Sequence, residues 1–286
     1  MPKVSVIIPN YNHAAFLNQR IESVLNQTYQ DFEIIILDDA STDNSKVIIE
    51  QYSNHPKVRQ IIYNEQNSGS TFSQWKKGIS VSSGSLIWMA ESDDYCEANF
   101  LEIIVPLIKN DANISLAYCK SIRVNEKDEY LDDLSFWYEK LNALRWKSGF
   151  VNNGKKEILN YLAFKNTIPN ASAVIFRKDV AMQVGNEIEK YRLSGDWLFW
   201  IQLLQSGNIL YSTNTVNYFR THSNSVRNYE EQTATSLKER KTILEYLVSK
   251  KLIDRKKAKS ILITGNEKQN NGFIRFTSSV KRLLKN

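Results

Sequence analysis

The chain has 286 residues, 42% of them hydrophobic, a formal net charge of +6, two cysteines and three histidines. That length supports one large core, or one main domain with an appendage. No charged-then-apolar leader precedes the first strand pattern, and no apolar run nears the roughly 18 residues of a membrane span, so the expected compartment is the cytoplasm. Cys96 and Cys119 form no CxxC pair, which excludes a zinc ribbon and a disulfide framework and fits a reducing compartment.

Val4 to Ile8 is a short apolar strand pattern ended by Pro9 and Asn10, and Ala14 to Gln27 places Phe16, Leu17, Ile21, Val24 and Leu25 at helical spacing. Phe32 to Leu37 is the next strand; Asp38 and Asp39 follow it, and Ser41 to Asp43 reads as the start of a helix running to Tyr52. Val58 to Tyr63 predicts a third strand, Thr71 to Ser82 a helix, Leu86 to Ala90 a fourth strand, Ala98 to Ile108 a helix and Ile114 to Cys119 a fifth strand. Periodicity fails from about Lys127 to Gly154, an aromatic-rich segment read as a cover over one side of the site. Ala173 to Phe176 is again strand-like, Asp196 to Leu204 helical, and Ile209 to Arg220 one or two further strands. After Tyr229 the chain reads as helical.

Apolar strands alternating with amphipathic helices predict an α/β fold: a doubly wound, mostly parallel sheet with helices on both faces and a site at the strand carboxyl ends. Three of those ends carry polar clusters: Pro9 to Asn12, Asp38 to Asp43, and Glu91 to Asp94. The last is the most telling, because Glu91, Asp93 and Asp94 repel one another unless a cation or solvent separates them. GxGxxG, GxxxxGK[ST] and GxSxG are absent, which removes dinucleotide and P-loop readings and leaves a hydrolase a weak one. A divalent cation bridging carboxylate and diphosphate, Mg2+ or Mn2+ by the hardness of the oxygen ligands, accounts for the acids.

The stretches VSVIIPNYN (4–12), DFEIIILDDASTD (31–43), GSLIWMAESDD (84–94), SGDWLFWIQLLQSG (194–207) and YFRTHSNSV (218–226) resemble, in order and spacing, the inverting family 2 glycosyltransferases of the GT-A fold. The resemblance covers residues 1–228 and makes 229–286 a basic helical C-terminal extension. It implies transfer of a sugar from a nucleotide-diphosphate donor, UDP foremost with dTDP and GDP as alternatives, to a carbohydrate or lipid-linked hydroxyl acceptor in surface polysaccharide or glycolipid synthesis. It assigns Pro9, Tyr11 and Asp39 to the nucleotide base, with Asp38 supporting the loop and Asp43 capping a helix.

The family's DXD-type acidic motif maps onto Glu91, Ser92 and Asp93, with Glu91 standing where Asp is usual and directed at a ribose hydroxyl. Asp93 is the first-choice metal ligand, Asp94 its reserve, and His222 a further ligand or diphosphate contact. Lys76 and Arg227 are directed at the donor phosphates. Asp196 takes the place of the catalytic base, with Gly195 standing where the family often has Glu. His13 and His55 receive no role. Glu91 and Gly195 keep one rival reading open, a catalytically inactive nucleotide-binding module of the same fold. A nucleotidyltransferase is a weaker rival, because no glycine- and lysine-rich triphosphate loop follows the first strand.

Residues 229–286 carry 14 Lys and Arg against 6 Asp and Glu, which leaves the rest of the chain near neutral. Phe273, Phe276, Val280, Leu283 and Leu284 recur at helical spacing among Arg275, Lys281, Arg282 and Lys285. Packing on the main domain is the commoner fate of such a stripe, with peripheral contact to the inner face of the membrane as the alternative and no nucleic-acid partner expected.

Overall fold

The computed structural model describes residues 3–222 and 234–263. Arg227 and the basic stripe of 273–284 lie outside them. Ten strands form one sheet: β1 (Val4–Asn10), β2 (Phe32–Asp38), β3 (Val58–Tyr63), β4 (Leu86–Met89), β5 (Tyr95–Cys96), β6 (Ile114–Val124), β7 (Tyr130–Asp132), β8 (Phe150–Asn152), β9 (Val174–Arg177) and β10 (Asn208–Arg220). The helices are α1 (Ala14–Leu25), α2 (Ser45–Glu50), α3 (Thr71–Val81), α4 (Phe100–Lys109), α5 (Ser135–Asn142), α6 (Gly154–Glu157), α7 (Lys178–Ala181), α8 (Gly195–Leu203) and α9 (Ala234–Ser249).

Spatial order in the sheet is β3-β2-β1-β4-β9-β6-β10-β5, with β7 added to β6 and β8 to β10. β1, β2, β3 and β4 run parallel, as do β6 and β10; β9 lies antiparallel between β4 and β6. The chain leaves β1 toward β2 and β3 and returns to β4 on its other side, so a topological switch point falls between the carboxyl ends of β1 and β4, where such sheets bind ligands.

Each central strand is buried on both faces, which explains its continuous apolar sequence. Alternate residues feed different cores: Val4, Val6 and Ile8 pack with α1 and α4, whereas Ile7, Ile35 and Leu37 face Phe72, Trp75 and the α8 side chains. Seven of the nine α8 residues are buried, Asp196 and Gln202 excepted, so this helix runs through the interior. The extension shares that second core through Ile243, Leu244, Leu247, Ile253 and Ile261.

Three local expectations differ from the structure. The segment 127–154 holds β7, α5, a 3-10 turn at Arg145–Lys147 and β8, elements too short to show periodicity. β5 follows the acidic cluster directly and pairs antiparallel with β10. β6 runs on to Val124 because its later residues alternate between buried and part-exposed positions, which disguises a strand whose first half is fully buried.

Candidate active site

The loops after β1 and β2 are stitched together by short polar side chains. Asp38 Oδ2 accepts from Asn10 Nδ2 at 2.8 Å and from Ser41 Oγ at 2.7 Å, while its Oδ1 accepts from Ser41 N. Asn12 Oδ1 accepts from Thr42 N, and Ser41 Oγ accepts from Asn12 N. Asp38 thus supports the loop. Asp43 caps two helices at once, accepting from Ser45 N at the start of α2 and from Ala14 N at the start of α1. Asn12 and Ala40 hold positive φ of 56° and 60°, strained values for non-glycine residues that concentrate at ligand sites.

Of the residues directed at the base, Tyr11 is 45% exposed at the end of β1, whereas Pro9 is a buried member of that strand, paired with Leu37. Asp39 is buried and organises the next loop: Oδ1 accepts from Asn64 Nδ2, Ser68 N and Gln74 Nε2, and Oδ2 from Ser68 Oγ at 2.7 Å.

At the end of β4 the three carboxylates occupy three different environments. Glu91 Oε1 accepts from Trp75 Nε1 at 2.7 Å. Burial and then the Asp93 charge push Glu91 up to about 8, against the pull of the Trp75 bond, so it is largely protonated at neutral pH. Burial also works against ionised Asp93, but the charge of His13 and the His222 contact outweigh it and hold its carboxyl below the usual range.

Asp94, expected as the reserve metal ligand, is a strut. Its Oδ1 accepts from Arg220 N at 2.9 Å, and its Oδ2 from Asn170 Nδ2 at 2.8 Å and Ser172 Oγ at 2.6 Å, tying the end of β4 to β10 and to the segment before β9. Burial and the Asp93 charge raise it above the usual carboxylate range.

His222 Nε2 lies 3.1 Å from Asp93 Oδ2. His13, without a role in the sequence reading, joins them: one ligand atom from each of His13, Asp93 and His222 fits within 4.8 Å of the others. Among the described residues no other group of three His, Cys, Asp or Glu side chains comes so close. Two imidazoles and an ionised carboxylate are a fit donor set for a divalent transition ion. Arg220 fixes the backbone beneath this cluster, its Nε donating to Asp93 O at 2.9 Å while its Nη1 pairs with Asp128 at 2.6 Å.

Asp196 sits in the first turn of α8, where the helix dipole favours its charge. Its Oδ2 accepts from Asn166 Nδ2 at 2.9 Å and its Oδ1 from Trp197 N at 2.7 Å. Asn166 is four residues from Asn170, which holds Asp94, so one short segment ties the candidate base to the β4 end, a reach of at most about 14 Å of extended chain. Glu239 of α9 accepts from Arg192 N, Leu193 N and Ser194 N, closing the backbone just before α8. Asn166 carried no sequence signal; Glu239 was legible only as an acid in a basic helix. Lys76, expected at the donor phosphates, is instead ion-paired with Glu189 at 2.6 Å.

Both departures from the family motif rest on α3. Trp75 satisfies Glu91, and a Cβ on Gly195 would come within 2.6 Å of the Phe72 ring, so the residue that displaces the family's Glu is one that Phe72 permits.

The sequence model of glycosyl transferase family 2 matches residues 5–185. The chain belongs to that family. It is 28% identical over 251 residues to an uncharacterized glycosyltransferase of Haemophilus influenzae, covering 86% of this chain and 75% of that one. It is 30% identical over 138 residues to Escherichia coli chondroitin synthase, 48% of this chain but 20% of the synthase. With Pasteurella multocida hyaluronan synthase it shares 34% identity over 140 residues, 49% of this chain and 14% of that one. The chain therefore spans only a small part of either synthase.

Among solved structures, residues 1–349 of Staphylococcus aureus TarS in complex with UDP-GlcNAc superpose with a TM-score of 0.68 at 18% identity, over 91% of this chain and 70% of that one. The mannosyltransferase PcManGT of Pyrobaculum calidifontis in complex with GDP-Man and Mn2+ gives 0.64 at 14% identity, over 87% and 64% of the two chains. At such identities the likeness speaks for the fold, and the protein is a GT-A family 2 glycosyltransferase. No helix among the described residues is long and apolar enough to cross a membrane.

Proposed function

We propose that this glycosyltransferase moves a sugar from a nucleotide-diphosphate donor, UDP first, to an acceptor hydroxyl with inversion at C1. The observation that carries the proposal is the Asp93–His222 pair at the switch point, beside an acidic motif whose other two carboxylates are satisfied from within the fold. Asp93 and His222 are the residues that would hold a divalent cation. When bound, such an ion offsets the charge that develops on the departing diphosphate.

The chain's own residues do the rest. Tyr11 offers an exposed ring against which a base can lie, and Asp39 Oδ2, with one bond to Ser68, retains capacity for a base imide N–H. Glu91, held in place by its bond from Trp75, is directed at a ribose hydroxyl. Pro9 contributes through its backbone, and Arg227 is reserved for the phosphates.

Asp196, oriented by Asn166 and by its own helix, takes the acceptor proton as the acceptor oxygen bonds to C1 and the C1–O bond to phosphate breaks. The likeness to UDP-GlcNAc-bound TarS supports UDP, that to PcManGT with Mn2+ supports a cation, and the synthase relatives support polysaccharide or glycolipid assembly. We place the reaction in the cytoplasm, at the inner membrane face where the acceptor is lipid-linked. The family 2 match and the glycosyltransferase relatives favour an active transferase over a catalytically inactive nucleotide-binding module of the same fold.

The test is the anomeric configuration of the product, read by NMR from a UDP-sugar and a saccharide acceptor, alongside Asp196→Asn. An inverted product and a variant that loses transfer by about 100-fold or more while still binding UDP support the proposal. A retained configuration, or wild-type turnover by the variant, overturns the assignment of Asp196.

A further inference from the structure

We propose that His13 is a third protein ligand of the cation, so that the site consists of two imidazoles and one carboxylate and selects Mn2+ and later first-row ions over Mg2+. This rests on the reading that a divalent ion belongs at Asp93 and His222.

His13 occupies the N-cap position of α1, where Ser, Thr, Asp or Asn would ordinarily bond the first free N–H groups. Its side chain makes no capping bond; Asp43 Oδ2 takes Ala14 N in its place. The imidazole is instead held over the end of β4, where Ser92 Oγ lies 2.8 Å from its Nδ1. The preceding residue, Asn12, has φ of 56°, a conformation that costs energy and redirects the chain at the point where His13 departs.

The rings of His13 and His222 meet edge-on with centroids 5.3 Å apart, and Phe16 packs against both, at 6.5 and 5.0 Å. Ligands of one small divalent ion stand about 3–3.5 Å apart, given bonds of roughly 2.1 Å. The 3.1 Å between His222 and Asp93 already fits that spacing, and the 4.8 Å envelope of all three closes to it with a small side-chain movement.

The composition decides the ion. Mg2+ demands near-ideal octahedral geometry and gives up its waters reluctantly, whereas imidazole suits the later first-row ions such as Fe2+, Ni2+ and Zn2+; Mn2+, the weakest binder of that row, still exchanges water for nitrogen more readily than Mg2+. Glu91 and Asp94, the oxygens that would shift the balance toward Mg2+, are held by Trp75 and by Arg220, Asn170 and Ser172. Ser92, through Nδ1, acts as the outer partner that orients a ligating histidine.

The experiment is Mn2+ titration of the full chain followed by EPR, with and without UDP, on wild type, His13→Ser, His222→Ser and Asp93→Asn. Serine is itself a good N-cap, so His13→Ser should keep the wild-type melting curve. The expected result is a loss of Mn2+ affinity of about tenfold or more in His13→Ser. Pulsed EPR should show two imidazole nitrogen couplings in the wild type and one in that variant, and Mg2+ should displace Mn2+ only in large excess. One nitrogen coupling in the wild type, or unchanged affinity in His13→Ser while Asp93→Asn abolishes binding, overturns the third ligand and leaves the two-ligand site standing. If Asp93→Asn and His222→Ser also bind Mn2+ like the wild type, or if the wild type binds none with or without UDP, the metal reading falls with it.

Discussion

Asp93 and Asp94 are adjacent, chemically identical and both candidates for the metal in the sequence, yet Asp94 is bonded into the fold while Asp93 meets His222 and is the proposed cation ligand, duties that two alanine substitutions separate. Asp94→Ala removes the acceptor of three hydrogen bonds and leaves Arg220 N, Asn170 Nδ2 and Ser172 Oγ without it in a buried setting. Bonds to a charged group contribute about 1.5–3 kcal/mol each. Relief of the burial and repulsion that raise Asp94 offsets part of that sum. A net loss of about 3–5 kcal/mol is the expectation, in line with the removal of one partner from a buried charged network.

Asp93→Ala removes the His222 contact and the attraction of His13, and against that loss it relieves the charge that pushes up both Glu91 and Asp94, so the net cost should be smaller, about 1 kcal/mol. Urea unfolding measures both: with m near 3 kcal/mol/M, Asp94→Ala shifts the midpoint down by about 1 M or more, while Asp93→Ala moves it far less. Mn2+ titration should give the reverse ranking, with affinity lost in Asp93→Ala. A stable Asp94→Ala that no longer binds Mn2+ would refute the division of labour.

Gly195→Ala drives a Cβ into the Phe72 ring and should cost about 1–3 kcal/mol; adding Phe72→Leu should recover part of it, measurable as coupling in a double-mutant cycle. Asn166→Ala should lower kcat about tenfold or more at unchanged donor affinity, because it frees Asp196 without touching the nucleotide loops. Glu33, far from the site, is lowered in pKa: burial opposes this, but bonds from Ser5, Ser83 and Arg59 prevail. A lowered carboxyl stabilises the fold above its unfolded pKa of about 4.5, and that contribution disappears as pH falls through the folded value. Glu33→Gln should therefore be less stable than wild type at pH 7 by about 1–2 kcal/mol, with the two unfolding curves converging as pH falls through the lowered folded value.

The sheet was legible because its central strands are buried on both faces and carry unbroken apolar runs between polar clusters; all three clusters do lie at strand carboxyl ends. β5 and β8, of two and three residues, were hidden because no periodicity develops over so few positions. Motif order singled out Asp93 and His222, which the structure brings to 3.1 Å of each other, but not the different settings of Asp93 and Asp94, since these depend on which carboxylate meets the backbone of β10, 126 residues away. His13 was passed over because a histidine in a polar loop has no sequence mark of its own. Its one clue was its place at the start of a helix pattern, where it does not cap. The ion pair of Lys76 with Glu189 had no sequence mark for a related reason, the two residues being distant along the chain.

The cluster at the β1–β4 switch point is proposed to receive a nucleotide diphosphate with its cation. Calorimetric titration of UDP into the protein, with Mn2+, with EDTA, and with Mn2+ in Asp93→Ala, tests it most directly. Binding in the first case and its loss in the other two is the expected result. No UDP binding under any condition, or equal affinity in EDTA and in Asp93→Ala, would contradict it.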